Sequence, residues 1–222
     1  MALNVSLLLP EDIIDHLGSG DEQWKPGRPA YEIAYSWYDA AGIPKSVQAV
    51  LDTDKLYRGA QMLDGFFERK VAIAPGAESQ TDLMVIAAVE GGLAVIAVEG
   101  KGTEPFGPLV AEWNTGTRGR LQRLAALCAT FGLDPAGVDA LRYQLFHRAA
   151  SAVYEAQRYR SRHALFVVQS FGDVATGNFD DFARFAAAIG LGTVARNTIS
   201  GPRDCDGVAL RFAWVSDRPR AA

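Results

Sequence analysis

Cysteine and histidine are scarce in this sequence. Its 222 residues include two cysteines, Cys128 and Cys205, and neither lies in a Cys-x-x-Cys motif or close to a histidine. A disulfide framework is therefore not expected, and two reduced thiols fit a protein of the cytoplasm. The three histidines, at positions 16, 147 and 163, are too far apart in the sequence to predict a zinc triad.

Long hydrophobic runs are also missing. Residues such as Glu90, Gly91 and Glu99 interrupt the most apolar stretches, whereas a transmembrane helix needs about 20 consecutive apolar residues. The first residues lack a basic segment followed by an apolar one, so we expect no secretory signal. These absences predict a cytoplasmic protein without a membrane partner.

Three common motifs of nucleotide-binding proteins and hydrolases are absent as well. The sequence has no GxxxxGK[ST] segment, no GxGxxG after a predicted strand and no GxSxG. A phosphate-binding loop, a dinucleotide-binding fold and a nucleophile elbow are therefore not predicted.

Positive charge is limited and unevenly distributed. The chain has 22 Lys and Arg against 26 Asp and Glu, whereas a dedicated nucleic-acid-binding domain is usually basic. Between Lys101 and His163, however, 9 basic residues stand against 5 acidic ones. This part either presents a basic surface, with Arg118 and Arg120 in contact with substrate, or carries scattered solvated charge.

The hydrophobic periodicity predicts helices and strands without repeats or a linker. We therefore predict one α/β domain over residues 1–222, with a core of about 30–215. Gly91-Gly92 is typical of a tight hairpin turn between two of the strands. The predicted helices span about 30–41, 44–52, 117–131, 138–160 and 179–189, and the strands about 66–74, 82–90, 93–99, 164–170 and 208–215.

Charged side chains stand at the open end of this otherwise apolar hairpin. Asp82 faces a position between about 99 and 101 on the partner strand, and Glu99 and Lys101 share one face because side chains alternate. Two carboxylates in an apolar setting resist joint ionisation unless a cation compensates them. Carboxylates, together with the carbonyl of Gly100, are hard ligands that suit Mg²⁺ or Mn²⁺. Lys101 could orient or deprotonate an attacking water; a salt-bridged strand end is the structural alternative.

Asp82 followed by Glu99-Gly100-Lys101 resembles the motif of the PD-(D/E)xK nuclease superfamily, with Thr81 in place of the proline. The resemblance covers about residues 30–170 and implies a restriction-endonuclease-like fold with a central mixed sheet flanked by helices. It also implies a nuclease that depends on Mg²⁺ or Mn²⁺ and acts on nucleic acid, with DNA as the expected substrate. By this resemblance, Asp82 and Glu99 hold the metal and Lys101 acts on the water.

Two predicted helices carry further candidates. Some branches of the superfamily place a glutamine near the metal on the helix after the ExK strand, and Gln144 matches it. Gln144 and Arg148 are one turn apart and opposite the apolar stripe, so we predict a supporting role in catalysis for Gln144 and substrate contact for Arg148. Some families add an acidic metal ligand from the first helix, and Glu32 is the matching residue. A solvated helix face is the alternative interpretation of all three.

Two other functions remain open. The protein could be a binding module for nucleic acid or protein that retains an inactive site, which its negative net charge favours. A metal- or phosphate-dependent activity on a small molecule is the third option. Because nucleases that cut both strands often act as dimers, a homodimer is a further expectation.

Overall fold

The structure is a computed structural model that describes residues 9–18, 20–74, 76, 78–172 and 177–220. Helices and strands follow one another in the order that the hydrophobic pattern predicts, with a one-turn helix (α3) and a three-residue strand (β5) in addition. The helices are α1 (Pro29–Asp39), α2 (Lys45–Leu51), α3 (Val110–Trp113), α4 (Arg118–Phe131), α5 (Tyr143–Arg158) and α6 (Asn178–Ala188). The strands are β1 (Gln61–Val71), β2 (Ser79–Val89), β3 (Gly92–Lys101), β4 (His163–Phe171), β5 (Arg203–Cys205) and β6 (Val208–Asp217).

Six strands form one mixed sheet in the order β1-β2-β3-β4-β6-β5. β2 runs antiparallel to β1 and β3, β4 runs parallel to β3 and β6, and β5 pairs antiparallel with β6. The predicted α/β fold, with a mixed sheet flanked by helices, is confirmed. The change from antiparallel to parallel pairing occurs at β3, whose carboxyl end carries Glu99 and Lys101.

Both faces of the sheet are covered by helices. One apolar cluster joins the sheet to α4, α5 and α6 through residues such as Leu127, Phe146 and Phe185. A second cluster joins the opposite face to α1 and α2 through residues such as Ile33 and Val47. Burial on both sides explains why the sequences of β2 and β3 are almost continuously apolar. Among the helices of the described ranges, none is long and apolar enough to cross a membrane.

Two elements begin five residues away from the predicted position, and the other boundaries differ by less. α5 begins at Tyr143 instead of residue 138, because Pro135–Gly137 forms a separate 3-10 turn and Arg142 then pairs with Leu109 in an isolated antiparallel bridge. The side chain of Asp134 stabilises this turn by accepting a hydrogen bond from the Ala136 amide over 3.0 Å. β1 begins at Gln61 instead of residue 66, because its pairing with β2 continues to that point. Neither difference moves the predicted site residues off their elements.

Candidate active site

The pairing of β1, β2 and β3 aligns three acidic residues across the sheet. Leu83 pairs with Val98, so the next position places Asp82 opposite Glu99, within the interval that the sequence predicts. The register of β1 against β2 places Glu68 on the other side of Asp82. All three carboxylates line the same cleft, and we term Glu68, Asp82 and Glu99 the acid row.

Glu99 is the most enclosed member of the acid row, with 1% of its surface exposed. Its two carboxylate oxygens have different partners from α5. Gln144 Nε2 donates to Oε1 over 2.6 Å, and Arg148 Nε donates to Oε2 over 2.5 Å. Lys101 Nζ lies 3.4 Å from Oε1. A carboxylate can be buried here because both of its oxygens are hydrogen-bonded and its charge is paired.

Lys101 is itself 4% exposed and is held in place by neutral and acidic groups. Its Nζ donates to Gln144 Oε1 over 3.1 Å and lies 3.8 Å from Oε1 of Glu104. The same Nζ lies 4.9 Å from the ring centroid of Phe106. The amide of Gln144 therefore links the two charged groups, since its nitrogen donates to Glu99 and its oxygen accepts from Lys101.

Asp82 is held by a backbone group of β3. The Gly100 amide donates to Oδ2 over 2.8 Å, and Arg148 Nη2 lies 3.9 Å from Oδ1. Burial raises the pKa of Asp82 well above its usual value, and the neighbouring carboxylates of Glu99 and Glu68 raise it further. Arg148 opposes this shift without outweighing it. The acid row therefore attracts a proton or a further cation.

Glu68 is a member of the site that the sequence analysis does not select. Its backbone has a φ of 50°, in the left-handed region that residues other than glycine rarely adopt. Gln80 Nε2 donates to Oε2 of Glu68 over 2.6 Å. Burial raises the pKa of Glu68 to about 7. Nothing in the sequence around position 68 signals the unusual backbone, because the segment has the composition of an ordinary strand.

The acid row lies in a cleft of about 550 Å³. α5 contributes Gln144 and Arg148 to its lining, the start of α1 contributes Pro29 and Ala30, and Arg28 precedes them. A cleft of this size is within the range of small-molecule and cofactor sites. The charged and amide groups of α5 and β3 thus converge on a space that can admit a ligand.

Gly100 allows α1 to approach this part of β3 closely. A Cβ atom at position 100 would lie 2.8 Å from Ile33 Cδ1 and 2.9 Å from Pro29 Cβ. Both distances are shorter than ordinary van der Waals contact, so a side chain would push α1 away from the sheet. The glycine between Glu99 and Lys101 therefore sets the width of the cleft.

The side-chain atoms beside the cleft that could bind a metal ion are all oxygens. The carboxylates of Asp82 and Glu99 and the amide oxygen of Gln144 suit Mg²⁺ or Mn²⁺, which often use one or two carboxylates together with water and substrate phosphate. No group of three or more His, Cys, Asp or Glu side chains in the described ranges is arranged to hold a metal ion. The amide nitrogen of Gly100 donates a hydrogen bond to Asp82 of the acid row. The carbonyl oxygen of Gly100 remains a predicted metal ligand. The donor set fits a magnesium-type cation with few protein ligands.

Glu32, predicted as an additional metal ligand, is used elsewhere. Its Oε1 accepts a hydrogen bond from the Gly27 amide and its Oε2 accepts one from the Arg220 amide, each over 2.7 Å. The rotation of α1 about its axis, which the sequence does not determine, turns Glu32 toward these backbone groups. Its carboxylate therefore connects two other segments of the chain to α1 through hydrogen bonds and does not line the cleft.

Arg118 and Arg120, predicted as substrate contacts, also lie outside the cleft. Both belong to the first turn of α4, where Arg118 is exposed. Arg120 Nη1 donates to the carbonyl of Trp113 and, over 3.1 Å, to Thr115 Oγ1. Arg120 lines a separate cavity. The structure thus brings Asp82, Glu99, Lys101, Gln144 and Arg148 together and leaves these two arginines apart.

Comparison with known proteins supplies a family for the chain. A search of curated proteins and a search of solved structures each gave no match. A family match covers residues 6–219, which is nearly the whole sequence. The chain therefore belongs to the family described as Domain of unknown function (DUF6946).

Proposed function

We propose that this protein is a metal-dependent nuclease that hydrolyses phosphodiester bonds of DNA in the cleft above the acid row. The observation that carries the proposal is the position of the Gln144 amide between Lys101 Nζ and Glu99 Oε1. It ties the lysine to a carboxylate that lies across the strands from Asp82. The restriction-endonuclease-like fold is part of the same proposal, supported by the antiparallel β1–β3 unit that continues into parallel β4.

Each group of the site has a role in this reaction. A divalent cation held by Asp82 and Glu99 would neutralise charge on the scissile phosphate. Lys101, fixed by Gln144, donates a hydrogen bond from Nζ to the attacking water or to a phosphate oxygen. Hydrolysis adds one water across a P–O bond and leaves a phosphomonoester and a hydroxyl group. Arg148 provides a second fixed positive charge for the phosphate.

Binding without turnover is a second candidate, and one observation favours it. Arg148 and Lys101 already compensate Glu99, at 2.5 Å and 3.4 Å from its carboxylate oxygens. A carboxylate whose charge is fully compensated by protein cations binds a metal ion less strongly. In this case the acid row is an ion-pair network, and the fold serves as a binding module for nucleic acid or protein.

Cleavage assays distinguish the two candidates. We would incubate plasmid and single-stranded DNA with Mg²⁺ or Mn²⁺ and compare the wild type with Asp82→Ala and Lys101→Ala. If the proposal holds, the wild type cuts, and Lys101→Ala loses about 10²- to 10⁴-fold in rate while its DNA affinity stays near that of the wild type. Asp82→Ala should lose both cleavage and metal binding, measured by calorimetry.

A matched control separates the role of Lys101 from its charge. Lys70 is an exposed lysine of β1, and Lys70→Ala removes the same charge outside the cleft. Circular dichroism and thermal unfolding establish that each variant is folded. Equal rates for Lys101→Ala and Lys70→Ala would contradict the catalytic role of Lys101. No cleavage by the wild type, together with no binding of millimolar Mn²⁺, would leave the binding module as the function.

A further inference from the structure

Three aromatic side chains contact one another at the start of α1. Trp24 precedes the helix, and Tyr31 and Tyr35 lie one turn apart on it. The ring centroids are 5.3 Å apart for Trp24 and Tyr31, 5.8 Å apart for Trp24 and Tyr35, and 4.6 Å apart for the two tyrosines. We term these three residues the aromatic platform.

Packing against the core does not account for the aromatic platform. Its three side chains are half-buried, and neither of the two apolar clusters that join the helices to the sheet includes them. Ile33 and Trp37 of α1 do belong to the second cluster. Each tyrosine of the platform is two positions away from one of them and therefore lies on the opposite side of the helix. Rings that are grouped at a surface and are not used by the core are available to a ligand.

Tyr35 is fixed by its neighbours, whereas the other two rings keep free surface. The Tyr35 hydroxyl donates to Glu11, and the guanidinium of Arg220 lies over the Tyr35 ring, 4.3 Å from its centroid. Within the described part of the chain, no cation lies over Trp24 or Tyr31, and neither the indole N–H nor the Tyr31 hydroxyl has a hydrogen-bond partner. Tyr35 therefore supports two rings that can still contact a ligand.

The aromatic platform is continuous with the cleft of the acid row. Gln23, Arg28 and Ala30 line that cleft. In the sequence, Gln23 directly precedes Trp24, and Ala30 directly precedes Tyr31. A chain-like ligand that leaves the cleft past the start of α1 therefore meets the two rings.

The charge beside the aromatic platform suits a phosphate backbone. The segment that carries Trp24, EQWKPGR, contains one carboxylate, Glu22, and two cations, Lys25 and Arg28. Both cations are exposed, and within the described part of the chain neither forms an ion pair. Proteins hold single-stranded nucleic acids by this combination, in which cations contact the phosphates and bases stack on aromatic rings.

We propose that the aromatic platform stacks unpaired bases, and that the substrate of the cleft is a nucleic acid that is single-stranded where it passes α1. The proposal rests on the proposed nuclease function and narrows its substrate class. A base inside a duplex is covered on both faces by its neighbours, so it has to leave the stack before it can contact a side chain. Bases of a single strand stack on Trp24 and Tyr31 whatever their sequence, and Arg28 contacts a phosphate between the platform and the cleft.

Fluorescence anisotropy with a labelled oligothymidylate, measured in EDTA, tests the proposal. We expect the wild type to bind this single strand more tightly than a duplex of the same length. Trp24→Leu and Tyr31→Leu should each weaken single-strand binding about 10-fold. Because a stacking contact releases no counterions, the slope of log K against log salt should stay that of the wild type in both variants. Arg28→Gln should instead lower the slope by about 1.

Tyr38→Leu is the matched control. Tyr38 is an exposed tyrosine at the other end of α1, and it forms no ring contact with the aromatic platform. Its replacement should leave the affinity near that of the wild type, and circular dichroism establishes that each variant is folded. Quenching of tryptophan fluorescence by unlabelled oligothymidylate should occur in Tyr38→Leu and be lost in Trp24→Leu. Equal affinities for Trp24→Leu, Tyr31→Leu and Tyr38→Leu, or tighter binding of the duplex, would overturn the proposal.

A cleavage assay with Mn²⁺ separates this proposal from the nuclease function on which it rests. Single-strand binding that depends on Trp24 and Tyr31, without cleavage, removes the nuclease and leaves the aromatic platform as a binding surface. Cleavage whose rate and substrate affinity are unchanged in Trp24→Leu and Tyr31→Leu removes the platform and leaves the nuclease. No binding of the single strand by the wild type also overturns the proposal and leaves the rings to a protein partner.

Discussion

Helix α5 contacts two buried carboxylate–arginine pairs that differ in their surroundings. Glu155, 3% exposed, pairs with Arg69 of β1, whose Nε and Nη2 lie 3.1 and 3.0 Å from Oε2. Arg158 adds a contact of 3.2 Å to the other oxygen of Glu155. Glu99, 1% exposed, pairs with Arg148 over 2.5 Å. Taken alone, the two pairs have similar geometry and similar burial.

The difference lies in the balance of charge and in access. Arg69 and Arg158 together compensate the single carboxylate of Glu155, and neither Arg69 nor Glu155 lines the cleft. Glu99 belongs to a row of three carboxylates that Arg148 and Lys101 compensate incompletely, and it lines a cleft. A balanced pair without access to a cavity stabilises the fold. An acidic excess beside a cleft binds cations, so the comparison separates a structural ion pair from a candidate site.

The largest expected effect comes from removing the arginine of each pair. Arg69→Met and Arg148→Met each leave a buried carboxylate without its main partner, which costs about 3–5 kcal/mol of unfolding free energy. Mn²⁺ should restore stability to Arg148→Met by about 3 kcal/mol at 100 times its Kd, because the acid row can then hold the cation. It should restore none to Arg69→Met. Urea unfolding with and without millimolar Mn²⁺ measures both.

The wild type in EDTA is the reference for these measurements. If Mn²⁺ fails to stabilise Arg148→Met more than Arg69→Met, the distinction between the pairs is lost. Glu99 and Arg148 would then form a second structural ion pair. Stabilisation of both variants by Mn²⁺ would indicate nonspecific binding of the metal.

The sequence predicts the acid row in part, and the reason is local. The Gly91-Gly92 turn fixes the register of β2 and β3, so the position of Asp82 across from Glu99 follows from counting residues. Gln144 and Arg148 follow from helical spacing in the same way. Glu68 could not be found, because its place depends on how β1 pairs with β2 and on an unusual backbone angle.

Two other features depend on tertiary packing and for that reason cannot be predicted from the sequence. The rotation of α1 decides whether Glu32 faces the cleft or the Gly27 amide, and spacing within one helix cannot determine it. The hydrogen bond from Arg123 of α4 to Tyr143 of α5 likewise depends on which side of α4 packs against α5. Local patterns therefore predicted the pairs within one element or one hairpin and failed where two distant elements meet.

An intermediate effect is expected from widening the cleft. Gly100→Ala introduces a Cβ that would lie 2.8 Å from Ile33 Cδ1, and such overpacking costs about 1–3 kcal/mol. It should also shift α1 and weaken metal binding at the acid row. Gly92→Ala is the matched control in the same strand, because nothing lies within 4 Å of its Cβ. Comparable stability and metal affinity for the two variants would show that α1 does not depend on the glycine.

The smallest expected effect is on the pH dependence of stability. It compares His147 with Asp82, whose pKa values are shifted in opposite directions. Burial lowers the pKa of His147 well below its usual value, helped by Arg148, Arg123 and Lys101, whereas burial raises the pKa of Asp82. The stabilising contribution of neutral His147 is therefore complete above its ordinary pKa of about 6.5 and is lost as the pH falls below it. The contribution of protonated Asp82 has the opposite sign, because it is present at low pH and lost as the pH rises. His147→Asn removes the first contribution alone, so the unfolding free energy of the variant should rise relative to that of the wild type by at most about 2 kcal/mol between pH 7 and pH 5. Parallel pH profiles of the two proteins would mean that burial, with the positive charges around it, does not hold His147 neutral.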